Sequence, residues 1–157
     1  MFGFLKRKEK TPKVSNDALG AKAEAKYCFL PESDLPKGFL YPKSLIQYEK
    51  YNNEKLELEP YVIFSLISAQ TFNRIVKEQY PKRVLVPFGK DNESDDVFCF
   101  DGKDTSGNPK VYIVHTYASP GWENRGELKD FNAWLAFAQE AHDAYEKQKE
   151  EDENYES

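Results

Sequence analysis

Histidine and cysteine, the side chains on which most metal sites and thiol catalysis depend, are scarce here, with two of each in 157 residues. No CxxC or HxxxH pair occurs, which leaves out the common structural-zinc and metalloprotease patterns. Glycine is sparse as well, eight in all; none forms a phosphate-cradling loop after an expected strand, and there is no GxSxG elbow. Cys28 and Cys99 read as reduced, isolated thiols, which fits a cytoplasmic protein. Apolar runs are short, and none approaches the length of a membrane-spanning helix. Met1-Phe2-Gly3-Phe4-Leu5 is too short for a secretory signal core and precedes the basic residues instead of following them. With no nucleophile beside a positioned base, the expectation is a protein that binds, with no cofactor and no metal.

Aromatic side chains and charge are what the chain has in quantity. It carries 10 Tyr, 11 Phe and 2 Trp, with 39% hydrophobic and 31% charged residues. That suits one domain with a real core and a well-solvated surface. The net charge of −5 is unevenly placed: residues 1–13 hold five Lys or Arg against one Glu, and residues 146–157 hold six acids against two Lys. The ends cancel, so the acidity belongs to the body. A net-acidic body disfavours binding to a nucleic-acid backbone and favours a basic protein partner. The expected layout is a basic, mobile appendage over 1–25, an α+β domain over 26–147 and a frayed acidic tail over 148–157. Phe2, Phe4 and Leu5 beside the basic cluster suit at most weak contact with an anionic membrane, without stable insertion.

Two apolar runs organise the middle of the chain. Val84-Leu85-Val86 and Val97-Phe98-Cys99-Phe100 flank a segment of turn formers and acids, which reads as two strands joined by an acidic loop. Val97–Phe100 has no polar alternation, so both its faces should be covered in a central strand. Pro87 lacks a backbone donor, so its strand should end there or lie at an edge. Pro42 suits the first turn of a helix running to about Tyr51, closed by Asn52-Asn53. Tyr61–Ile67 reads as a strand, with Ser68 as N-cap of a helix that Pro81 terminates. Lys110–Tyr117 should pair back on Val97–Phe100 as a hairpin, with a loop over Ala118–Gly126. The last helix, from about Leu128 or Asp130 to Lys147, places Phe131, Trp134, Leu135, Ala138, Ala141 and Tyr145 on one stripe. His142 falls on its polar flank and should be exposed. The expected fold is α+β: a mostly antiparallel sheet of about four to six strands with helices packed on it, the C-terminal one longest.

The stretch Val86-Pro87-Phe88-Gly89, an acidic pair, Phe98-Cys99-Phe100-Asp101, and a later helix with Phe131 and Trp134-Leu135 resembles the central signature of the SUKH superfamily. These are cell-wall-assembly-regulator-like proteins, many of them bacterial immunity proteins. The likeness covers roughly residues 40–145. One departure is that Glu93-Ser94-Asp95-Asp96 lacks the glycine the family usually places before the acid. The resemblance implies a SUKH-like fold and an intracellular protein that neutralises a polymorphic toxin by tight binding. Some members of the family instead act as scaffolds in cell-wall signalling.

The candidate contact residues are the acids Asp91, Glu93, Asp95 and Asp96, which suit a basic toxin domain, with Phe88, Phe98 and Phe100 in the core. Tyr117 and Trp122 border a loop and suit interface anchors. The acids do not form an EF-hand, because counting from Asp91 the glycine and glutamate positions hold Asp96 and Gly102. A small hydrolase remains as a further alternative if Cys99 and His115 meet across the hairpin as nucleophile and base.

Overall fold

Val97–Phe100 does become the central strand, and each of its four residues is buried in the computed structural model of the protein. The structure describes residues 27–51 and 56–156. The expectations for the basic appendage, for the Phe2/Phe4/Leu5 membrane contact and for Asn52-Asn53 therefore lie outside the described residues. The fold is α+β: β1 (Tyr61–Ile63), β2 (Leu85–Asp91), β3 (Asp96–Asp101), β4 (Val111–His115) and β5 (Asn124–Leu128) form one antiparallel sheet in the order β1-β2-β3-β4-β5. Among the described residues three α-helices accompany it, α1 (Lys43–Lys50), α2 (Leu66–Gln79) and the long C-terminal α3 (Phe131–Glu156).

Side chains alternate across a strand, so β3 sends Phe98 and Phe100 to one face and Val97 and Cys99 to the other. The first face lies under α3. Trp134 sits 5.3 Å from the Phe98 ring and 5.6 Å from Phe131, and Tyr48 of α1 meets Phe131 at 6.2 Å. Phe39 and Tyr41 extend this cluster over Phe100, at 6.1 and 6.2 Å. The second face lies under α2: Lys90, the register partner of Val97, sits 5.9 Å over the ring of Phe72.

Pro87 lies inside β2 instead of ending it. β1 pairs no further than Gly89, so at Pro87 the strand has a hydrogen-bonding neighbour on one side only, the edge condition that proline requires. Immediately after it the register jumps from Pro87/Cys99 to Gly89/Phe98, leaving Phe88 as a bulged residue. The bulge turns Phe88 inward, 4.3 Å from the Phe100 ring and 5.1 Å from Trp134. At Gly89 a Cβ would fall 2.5 Å from the Val62 carbonyl oxygen, so glycine is what lets β1 approach.

Three element boundaries differ from the sequence reading. The first strand stops at Ile63, because Ser65 (not Ser68) is the N-cap of α2: its Oγ accepts the Ser68 N–H at 3.3 Å, and Leu66 and Ile67 enter the helix. Asn124–Leu128, expected within a loop and the start of a helix, is strand β5; α3 begins after Asp130, whose Oδ1 accepts the Ala133 N–H at 2.9 Å. At its other end α3 runs on through the acidic stretch to Glu156 with every residue from Lys147 exposed. His142 is also not exposed. It follows Phe131, Trp134 and Ala138 on the buried stripe, and its Nδ1–H donates to the Glu59 carbonyl at 2.8 Å. Leu135, Ala141 and Tyr145 flank that stripe half-buried.

Candidate functional site at the hairpin end of the sheet

In an antiparallel meander alternate connections emerge at the same end, so the β2–β3 and β4–β5 turns are neighbours. The acidic β2–β3 turn is built by its own side chains. Asp91 accepts the Glu93 N–H at 2.8 Å and the Ser94 hydroxyl at 3.0 Å, and Ser94 Oγ accepts the Asp96 N–H at 3.1 Å. The Asp96 carboxylate accepts His115 Nδ1–H from β4 at 2.8 Å. The four acids thus divide by role. Asp91 and Asp96 are half-buried and engaged within the fold; Glu93 and Asp95 are exposed. Tyr61 lies at the same end, and its phenol is pushed up by burial first and by the charges of Asp91 and Asp96 next, which keeps it a neutral hydroxyl.

The β4–β5 connection is tied to this turn and to the end of α2. Thr116 donates to the Asp95 carbonyl twice, through its N–H at 3.0 Å and its hydroxyl at 2.9 Å. The Tyr80 hydroxyl donates to the His115 carbonyl at 2.8 Å and accepts the Ala118 N–H at 3.2 Å. The Tyr117 N–H donates to Gln79 Oε1 at 2.6 Å. On the far limb, Glu123 accepts the Gly121 N–H at 3.0 Å and meets Arg83 at 3.5 Å, while Arg83 lies 5.0 Å over the Tyr112 ring. From this pinned loop Tyr117 and Trp122 stand out at 69% and 77% exposure.

The structure therefore brings Glu93, Asp95, Tyr117 and Trp122 to one end of the sheet, with Asp91 and Asp96 beneath them. Gln79, Tyr80, Arg83 and Thr116, which hold the loop, were not foreseen. Their only sequence signal is the Gln79-Tyr80-Pro81 helix terminus, which says where α2 stops and nothing about what it touches.

Cys99 and His115 do not meet. Cys99 faces Tyr112 across the β3–β4 ladder, His115 faces Asp96, and the odd offset from Asp96 to Cys99 puts the two side chains on opposite faces. Burial pushes the Cys99 thiol well above its ordinary range, which favours the inert protonated form. Among the described residues no group of three or more His, Cys, Asp and Glu side chains is arranged to hold a metal ion, and no helix is long and apolar enough to cross a membrane. No family model matches this sequence, and neither the curated proteins nor the solved structures give a match.

Proposed function

We propose that this chain is a non-catalytic, intracellular protein-binding domain, an immunity protein that neutralises a bacterial toxin by binding a basic domain of it. The observation that carries the reading is the pairing of two strongly exposed aromatic residues, Tyr117 and Trp122, with the exposed acids Glu93 and Asp95 on adjoining hairpins. Tyrosine and tryptophan supply most anchor residues of protein interfaces, because they bring large contact area at little cost in side-chain entropy. Carboxylates around such anchors attract a cationic surface and speed its approach. A nuclease-type toxin is cationic where it holds nucleic acid, so a domain that covers that surface inhibits without chemistry of its own. The resemblance of residues 86–101 and 131–135 to the SUKH superfamily supports the same assignment.

The test uses the full-length chain as bait in its native cell, followed by identification of the captured protein and measurement of binding. A toxin with a basic domain is expected, and Trp122→Ala should weaken the complex by roughly 30-fold or more, the range of an interface hot spot. Capture of a cell-wall regulatory protein would replace the immunity role with the scaffold role. Unchanged affinity of Trp122→Ala would move the interface away from this end of the sheet.

A further inference from the structure

Tyr117 adopts φ +65°, and among the described residues it is the one non-glycine with positive φ. For an L-residue that conformation places Cβ against the backbone, and it persists only where surrounding contacts over-determine it. Here the contacts are specific. The hydrogen bonds from α2 and the residue after it bracket Tyr117: the carbonyl of His115 two residues before it, its own N–H, and the N–H of Ala118 after it are all bound by Gln79 or Tyr80. The side chain itself gains little from the arrangement, since it is mostly exposed. The constraint is on the backbone, and its product is the direction in which the ring points.

We infer that Gln79 and Tyr80 are positioning residues that hold Tyr117 in the left-handed conformation so that its ring is presented to the partner in a fixed orientation. This rests on the reading of the hairpin end as the binding surface. A loop ordered before the encounter loses less conformational freedom on binding, so the benefit should appear mainly in the lifetime of the complex. Gln79→Glu keeps an oxygen that accepts the Tyr117 N–H; Gln79→Ala removes it.

The experiment combines amide exchange by NMR on the free, full-length chain with kinetics on the protein identified by the capture described above. In Gln79→Ala the Tyr117 amide should exchange roughly five- to tenfold faster, as loss of one hydrogen bond implies, with the unfolding midpoint lowered by no more than that one bond accounts for. Gln79→Glu should restore the original rate, and Tyr80→Phe should loosen Ala118 in the same way. Dissociation should quicken in Gln79→Ala and Tyr80→Phe but not in Gln79→Glu. Unaltered exchange in Gln79→Ala and Tyr80→Phe would overturn the inference without any partner being involved. Loosened exchange with an unaltered lifetime would overturn the positioning role while leaving the binding surface in place. If Trp122→Ala also binds as the wild type does, the surface itself is wrong and the inference falls with it.

Discussion

Tyr117 can be compared with Gly38, Gly107, Gly121 and Gly126, the other described residues at positive φ, where the absent Cβ removes the penalty. Tyr117→Gly should therefore raise stability by roughly 0.5–1 kcal/mol in urea unfolding, while weakening partner binding. A loss of stability on that substitution would mean the tyrosine side chain contributes to the fold. A second residue-scale effect concerns alkaline pH. The hydroxyl end of Tyr41, which accepts the Leu30 N–H at 2.9 Å, and the Cys99 thiol are both held above their ordinary values, chiefly by burial. Raised values mean that the folded state retains protons the unfolded chain gives up. Stability is then complete below the unfolded thiol value of about 8.5 and declines as pH rises through that value and the tyrosine value near 10. Urea midpoints should fall between pH 8 and 11, and Cys99→Ala should flatten the decline; a level profile in the wild type would contradict it. None of this is visible in the sequence, because φ and burial at a single residue are set by partners far along the chain.

Elements with intrinsic preferences were legible, and elements that exist only through their neighbours were not. The apolar runs of β2, β3 and β4 declare themselves through β-branched and aromatic residues that fit a pleated surface. Asn124-Arg125-Gly126-Glu127-Leu128 contains none, and it is a strand because β4 offers it a backbone ladder. Ser65 and Ser68 are equivalent as cap candidates by composition; the pairing with β2 continues through the Phe64 N–H to the Phe88 carbonyl at 2.8 Å, and the helix is capped at the next residue, Ser65. The hydrophobic stripe of α3 is legible in the sequence, but the burial of His142 is not, since it depends on the Glu59 carbonyl reaching it from a distant loop. The packing of α3 gives a direct comparison. Trp134 is fully buried and Leu135 half-buried, so Trp134→Ala should cost about 3–5 kcal/mol and Leu135→Ala no more than roughly 2 kcal/mol. Trp134→Phe should be milder than its lost area implies, because the buried Trp134 Nε1 has no hydrogen-bond partner among the described residues. Denaturant unfolding with equal losses at 134 and 135 would place the helix in a different rotation on the sheet.

At the scale of the whole molecule, the two edges of the sheet are poor templates for assembly. β1 is three residues long, and β5 carries Arg125 and Glu127 with Gly126 at φ +141° and a register shift against β4. Short, charged and irregular edges resist strand addition from another chain. The proposed recognition surface lies instead at the end of the sheet, where the two hairpins converge through Thr116 and Asp95, a meeting decided by register that no local pattern in the sequence announces. The acidic loop was legible as a unit, but its division into two structural and two free carboxylates was not. That division sets the last prediction. Replacing Glu93 and Asp95 by Gln and Asn removes charges that are exposed and unneeded by the turn, so the fold should hold while association with a basic partner slows and dissociation stays nearly constant. Asp96→Asn should behave differently: it breaks a partly exposed pair with His115 and should cost up to about 1 kcal/mol of stability. Long-range attraction between exposed charges is screened within about 8–10 Å at physiological salt. The wild-type association rate should consequently fall with added salt, and the double variant should be slow at low salt and nearly indifferent to more. Stopped-flow mixing across a salt series decides the matter, since a wild-type rate that ignores salt would remove Glu93 and Asp95 from the encounter and leave binding to the aromatic pair alone.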